Sequence, residues 1–131
     1  MTQKHIPVAV GLLLCDQVIV AEKTQDITPV NCFAVRRVRR FPSPPFSFTI
    51  FALLTDGAGE ILLDVVIQRL DNLEEVHRRS YKGFFPHRLK EMQFTLNVRS
   101  CSFPAPGHYQ VSLFAEGELL AQRKLKIELK D

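Results

Sequence analysis

The stretch "YQVSLFAEGELLAQRKLKIEL" (residues 109–129) alternates apolar with polar residues on both sides of Glu116-Gly117. A period of two is typical of a half-buried β-strand. Glycine tolerates the positive φ that tight hairpin turns use, so the two runs form a C-terminal hairpin. Its expected inward face carries Tyr109, Val111, Leu113, Ala115, Leu125, Ile127 and Leu129.

The rest of the chain has the same character, with short β-branched and aromatic runs between Gly, Pro and Asp and no helical periodicity. "MQFTLNV" (92–98) predicts another half-buried strand, and "EEVHRRSYKGFF" (74–85) a polar edge strand. "FSFTIFALL" (46–54) and "ILLDVVI" (61–67) predict a second hairpin, turned by "TDGAGE" (55–60). Seven to nine such strands predict one all-β domain over residues 1–131. The expected fold is a two-sheet antiparallel β-sandwich, immunoglobulin-like in shape.

The stretch "KHIPVAVGLLLCDQVIV" (residues 4–20) is either an export leader or a strand of the domain. Leader cleavage requires small residues before the cut, whereas Leu14 precedes Cys15 here. The apolar character also continues beyond Cys15. We therefore expect a strand that is retained in the mature protein.

Composition and cysteine usage indicate a soluble protein of the cytoplasm. Of 131 residues, 46% are hydrophobic and 24% charged, and the net charge is +3. No apolar run approaches the ~20 residues of a membrane-spanning helix, so we expect no membrane contact. Three widely spaced cysteines, Cys15, Cys32 and Cys101, predict free, buried thiols rather than disulfides or a zinc site.

No motif in the sequence predicts catalysis. The four histidines form no close pair with one another or with a cysteine, and no serine lies in a G-x-S-x-G elbow. Asp56, Glu60 and Asp64 are better explained by turn chemistry than by calcium binding. We therefore predict no catalytic residues, no cofactor and no metal. An enzyme would need a site that groups His77, His87 or Cys32 with an acid.

The most basic part of the sequence is the predicted edge strand together with the residues after it, up to Lys90. Arg78, Arg79, Lys82 and Arg88 come without an acid between them, and aromatic residues are interleaved. This pattern is typical of single-strand nucleic-acid binding. However, acids just upstream (Asp71, Glu74 and Glu75) offer ion-pair partners. A solvated edge strand, a nucleic-acid surface and a surface for another anionic partner remain open.

A second candidate surface comes from the outward positions of the strand over 46–54. Phe51 and Leu53 make this strand apolar on both faces. Soluble monomers seldom expose large apolar patches, so such a strand is either covered or forms a subunit contact. We hypothesise a homodimer in which one sheet packs on its twin through these residues.

Three pieces of the sequence resemble a bacterial family of small proteins known only as a domain of unknown function. They are Cys15-Asp16 with the following "VIV" (residues 18–20), "TDG" (residues 55–57) and the run from Phe103 to Tyr109. The resemblance covers nearly the whole chain and implies a compact β-sandwich in the cytoplasm. It implies no activity. The basic segment over residues 74–90 departs from the family's middle region.

These observations favour a function in binding. The expected role is that of a non-enzymatic protein-interaction or assembly module that self-associates through an apolar sheet face. The first alternative is a basic-surface module that binds nucleic acid or another polyanion. The second alternative is an enzyme whose site is not visible in the sequence.

Overall fold

The computed structural model describes residues 4–131, and these residues form ten strands and no helix. No segment of this range can therefore cross a membrane as a helix. The strands are β1 (Val8–Cys15), β2 (Gln17–Val20), β3 (Ile27–Val30), β4 (Val35–Val38), β5 (Phe46–Thr55), β6 (Gly59–Arg69), β7 (Glu75–Phe85), β8 (Met92–Cys101), β9 (Gly107–Ala115) and β10 (Glu118–Leu129). The all-β prediction is confirmed, and residues 8–15 form a strand as expected.

The strands pair into two larger sheets and one two-stranded sheet. One sheet has the order β1-β5-β8, a second has the order β4-β10-β9-β6-β7, and β2 pairs with β3 alone. Most pairs are antiparallel, but β4 runs parallel to β10. The predicted antiparallel arrangement is therefore wrong at this one edge.

The C-terminal hairpin forms as the alternation predicts. β9 pairs with β10 across the turn, and glycine provides a φ of 84° at Gly117. The predicted inward residues are fully buried or nearly so, including Leu125 and Ile127, with one exception. The exception is Leu129, since 56% of it is exposed. It pairs with Val38 at the end of β4, where the sheet stops.

The predicted hairpin of β5 with β6 is wrong. β5 pairs with β1 and β8, whereas β6 pairs with β7 and β9, so the loop between them crosses from one sheet to the other. The inward faces of both strands nevertheless meet, because residues of the two sheets belong to one hydrophobic core. Fully buried members include Ile50, Leu54, Ile61 and Leu63.

The Tyr109 side chain stabilises the connection that leads into β9. Its ring packs on Phe103, with centroids 4.8 Å apart, and its hydroxyl donates a 2.6 Å hydrogen bond to the carbonyl of Ala105. The side chain is fully buried. The connection over residues 102–106 is thus held by a residue of the strand that it enters.

One side chain bridges the two larger sheets at each lateral edge. Arg123 of β10 donates from Nη1 to the carbonyl of Leu12 in β1, at 3.2 Å. On the opposite side, the Tyr81 hydroxyl of β7 donates to the carbonyl of Asn97 in β8, at 3.3 Å. Both bonds use backbone carbonyls of edge strands.

Candidate interaction surfaces

β7 is an edge strand, as the sequence predicts, but most of its cations have carboxylate partners. Arg78 lies 2.9 Å from Glu75, and Lys82 lies 3.7 Å from Glu60 on β6. Arg88 comes after the strand and binds Asp56 through two nitrogens, at 2.8 and 3.1 Å. This guanidinium holds the pKa of Asp56 below its usual value.

Arg79 has a different environment from the other three cations. Its guanidinium lies 5.3 Å from the centroid of the Tyr81 ring, and no carboxylate within residues 4–131 forms an ion pair with it. On a strand, Arg78 and Lys82 share one face while Arg79 points to the other. The four predicted residues therefore do not form one continuous cationic surface.

Arg36 and Arg37 of β4 also have carboxylate partners. Arg36 binds Asp16 at 2.7 Å and its guanidinium lies 3.4 Å from the centroid of the Phe33 ring. Arg37 binds Glu128 at 3.1 Å. The acid partners, Asp16 between β1 and β2 and Glu128 on β10, are distant from Arg36 and Arg37 in the sequence, so the sequence alone did not reveal these pairs.

Phe51 and Leu53 lie on the outer face of the three-stranded sheet, as expected. Phe51 is only 2% exposed because Leu13 and Thr95 flank it from the two neighbouring strands. Leu53 is half-buried. Phe51 thus has little surface to offer a partner, and self-association at these residues stays a prediction.

An apolar stripe crosses the outer face of the five-stranded sheet and was not predicted from the sequence. Leu62 pairs with Lys82, which places Phe84 diagonally beside it. Phe114 pairs with Asp64 and is diagonal to Leu62 on the other side. Leu119 pairs with Phe114. We call Phe84, Leu62, Phe114 and Leu119 the outer stripe.

The outer stripe is accessible over much of its length. Phe84 is 62% exposed, Leu62 is 40% exposed and Leu119 is 50% exposed, while Phe114 is half-buried. The signal in the sequence is weak, since these residues occupy outward positions where alternation predicts polar side chains. Only the pairing of four strands shows that they are neighbours.

Charged groups border the outer stripe on both sides of Leu62. Glu116 accepts a 2.6 Å hydrogen bond from the Leu62 amide and forms a 3.1 Å ion pair with Lys4. The amide, and then Lys4, lower the pKa of this carboxyl below its usual value. On the other side, Lys82 of β7 lies directly opposite Leu62, two residues before Phe84.

The titratable groups of the interior are dispersed. Burial raises the pKa of the Cys101 thiol to about 11, and burial is also the main cause that raises the pKa of Cys15. Cys32, expected to be buried, is exposed. It precedes β4 at the opposite sheet edge from His77. Among the described residues, no three His, Cys, Asp or Glu side chains are placed to share a metal ion.

His77 is half-buried, and its Nε2 is the one buried side-chain polar atom of the described range that has no hydrogen-bond partner. Burial, with a smaller effect of Arg79, lowers the pKa of this imidazole below its usual value. It lies near the start of β7, opposite Ile67.

The strand order and the buried core define a small all-β domain. The chain belongs to the family of unknown function (DUF6941), whose model matches residues 11–128. This confirms the resemblance seen in the sequence. A comparison with curated proteins finds no match.

Solved structures with similar folds share little sequence with this chain. An alkylpurine DNA glycosylase of Pseudomonas fluorescens, bound to DNA containing an abasic site analog, has a TM-score of 0.52 at 9% identity, over 89% of this chain and 30% of that chain. A β-glucosidase of Listeria innocua has a TM-score of 0.50 at 9% identity, over 97% of this chain and 17% of that chain. An immunoglobulin-like protein of Pseudomonas aeruginosa has 10% identity and a TM-score of 0.45, over 95% of this chain and 97% of that chain.

This chain therefore spans less than a third of the length of the glycosylase and of the glucosidase. At such low identity, the likeness lies in the fold alone.

Proposed function

We propose that this domain is a non-enzymatic protein-interaction module that associates with a second copy of itself through the outer stripe. The observation that carries the proposal is the run of four apolar side chains across four neighbouring strands, three of them at least 40% exposed. Contiguous apolar surface of this kind marks interaction sites on soluble proteins. Its removal from water supplies about 25 cal/mol per Å² of buried apolar area.

The charges around the outer stripe support a two-fold symmetric pair. Lys82 lies at the Phe84 end, and its side chain is 77% exposed. Glu118 lies at the Leu119 end, is exposed, and has no ion-pair partner in the described part of the chain. A two-fold axis through the middle of the outer stripe brings the Lys82 end of one protomer onto the Glu118 end of its partner. Such an interface is self-complementary.

The charges on the edge strand β7 favour a dimer in which two sheet faces pack together over a dimer in which two sheet edges pair. β7 presents Arg78, Arg79 and Lys82 along the open edge of the five-stranded sheet. Two copies of this strand side by side would place like charges close together. Charged edge strands are a common protection against edge-to-edge association.

The oligomeric state tests the proposal. Sedimentation velocity over the micromolar range is expected to show a dimer for the wild type and a monomer for Phe84→Glu. Leu89→Glu is the matched control, since Leu89 is 93% exposed and lies in the loop after β7, away from the outer stripe. A wild type that stays monomeric, or a Leu89→Glu variant that dissociates equally, contradicts the proposal.

We further propose that the three- and five-stranded sheets are the two layers of an immunoglobulin-like sandwich. The shared core, the two lateral bridges and the contact of Phe85 with Phe94 support this arrangement, with ring centroids 5.5 Å apart. These rings belong to different sheets. Nuclear Overhauser effects between them are expected, and their absence in a folded sample would contradict the layered arrangement.

We also propose a reducing compartment, such as a bacterial cytoplasm, for this protein. Support comes from Cys15 and Cys101, which are buried without a disulfide. Thiol titration of protein purified and unfolded without reductant is expected to find three free thiols. A disulfide between any two cysteines would contradict the assignment.

A further inference from the structure

A groove lies at the lateral opening between β1 and β10. Its volume is about 540 Å³, and its walls include Val10, Gly11 and Leu12 on one side and Leu120 to Lys124 on the other. The β10 wall is five residues long, which is about 17 Å of extended chain. The outer stripe lies on the sheet face and is a separate surface.

The β10 wall presents backbone groups that no other strand covers. β4 pairs with β10 only over Lys126–Leu129, so Glu118–Leu125 has a neighbour on one side only. On the β4 side, Lys126 N–H donates to the Ala34 carbonyl at 2.8 Å, and Lys130 N–H donates to Val38 at 2.7 Å. Backbone groups alternate in direction along a strand, so those of Lys124 and Gln122 face the groove.

The pairing of β4 with β10 shows that a parallel strand fits this edge of β10. β4 lies along β10 in parallel register, and the groove is the continuation of its line. The chain closes one end of the groove, because Phe33 N–H donates to Leu14 of β1 at 2.9 Å while Ala34 accepts from β10. An extended backbone that enters the groove therefore meets the same kind of ladder that β4 already uses.

The side chains around the groove specify the chemistry of the occupant. Ala9, Gly11 and Ala121 are small and leave room for a backbone to approach. Val10 is 57% exposed and offers an apolar contact. Arg123 and Lys124 form no ion pair with any residue of the range 4–131. Arg123 also donates to the Leu12 carbonyl across the opening, whereas the Lys124 ammonium has no carboxylate partner in the described range. The positive charge of this wall favours carboxylates in the partner.

We propose that this groove binds an extended, acidic segment of a partner protein, which adds as a strand to β10 in continuation of β4. Main-chain hydrogen bonds to Lys124 and Gln122 provide the attachment, as in other cases of strand addition. The carboxylates of the segment select it over neutral or basic segments.

The test uses the whole chain, labelled with ¹⁵N, and a blocked octapeptide that alternates valine with glutamate. Amide shift changes are expected at Gln122 and Lys124, and at Leu12 across the groove. A valine–lysine octapeptide is the charge control. A valine–glutamate octapeptide with alternate N-methylated amides is the backbone control, and it needs no change in the protein. Both controls are expected to bind at least about tenfold more weakly.

Protein variants separate the backbone contribution from the charge. Lys124→Pro removes the amide that faces the groove, and proline is tolerated at edge positions. It is expected to weaken binding by about tenfold. Lys124→Gln keeps the amide and loses only the charge, so about threefold is expected. Phe84→Glu, which disrupts the outer stripe, is expected to leave peptide binding unchanged.

Several results would overturn the proposal. One is equal binding of the N-methylated peptide, or of the lysine peptide. Another is a set of shift changes confined to the edges of β7 or β8. If Lys124→Pro instead dissociates a wild-type dimer, the groove holds a second copy of the chain, and the acidic partner is wrong.

Discussion

The Tyr109 hydroxyl lies 2.6 Å from the carbonyl oxygen of Ala105, four residues earlier in the chain. The same hydroxyl lies 3.3 Å from the Ala105 amide nitrogen, so both polar groups of this backbone unit are satisfied by one side chain. Because the tyrosine is fully buried and Ala105 is half-buried, water replaces the hydroxyl only in part if it is removed.

Tyr109→Phe is therefore expected to lower the free energy of unfolding by about 1–2 kcal/mol, the cost of leaving buried partners unsatisfied. Urea denaturation followed by circular dichroism measures the change. Tyr81→Phe is the control, because its bond to Asn97 is 3.3 Å long and the side chain is half-buried. An equal loss in both variants would contradict the special role of Tyr109.

Gly83→Ala is expected to destabilise the protein by steric conflict. A Cβ at Gly83 would lie 2.9 Å from Cε1 of Phe94 in the other large sheet. Overpacking of this kind costs about 1–3 kcal/mol. Gly11→Ala is the matched control, since its Cβ would lie 3.6 Å from Leu53, an ordinary contact distance. Similar melting temperatures for the two variants would show that Phe94 moves freely out of the way.

The lowered pKa of His77 predicts a pH dependence of stability. The unfolded chain binds a proton near the ordinary histidine pKa of 6.5, whereas the folded chain resists it, mainly through burial. The free energy of unfolding should therefore fall as pH decreases below about 6.5, before carboxylates titrate. His77→Leu is expected to remove this decrease.

Arg79→Gln removes only the second cause of the shift and should retain most of the decrease. Denaturant titrations between about pH 7.5 and pH 5 measure both variants. The expectation fails if His77→Leu and the wild type lose stability in parallel over this range.

Nucleic-acid binding by the basic segment is expected to be negligible. Arg78, Lys82 and Arg88 already contact carboxylates, so each contact with a phosphate would first require an ion pair to break. A surface that neutralised four or five phosphates would give a slope of log K against log salt of about −3.5 to −4.5. Fluorescence anisotropy with labelled DNA at about 50 mM salt should show no binding. A slope in that range would revive the polyanion function.

Alternation in the sequence predicted most of the residues that face the core, with Leu129 as an exception. The period of two placed Val98 and Leu113 inward, because this period follows which face of a strand is buried. The polar character of β7 also identified it as an edge strand. The alternation could not assign strands to sheets. The loop from Thr55 to Glu60 has the composition of a hairpin turn, yet it connects two sheets, because Gly and Asp suit any sharp reversal.

The candidate surfaces were harder to predict because they depend on pairing between distant strands. Phe51 looked exposed until Leu13 and Thr95 were found on either side of it. Phe84 and Leu119, 35 positions apart in the sequence, belong to one stripe only through the register of β7, β6, β9 and β10. The groove could not be predicted either, because it exists only where β4 no longer pairs with β10.

The crossing of the β5–β6 loop has a consequence for the synthesis of the chain. Thr49 pairs with Cys15 on one side and with Asn97 on the other, so β5 lacks its second neighbour until β8 has left the ribosome. The layer opposite its apolar face also stays incomplete until β9 and β10 emerge. Pairings this distant fold in milliseconds to seconds rather than microseconds. The nascent chain thus exposes the apolar surface of an incomplete sheet until translation reaches β8.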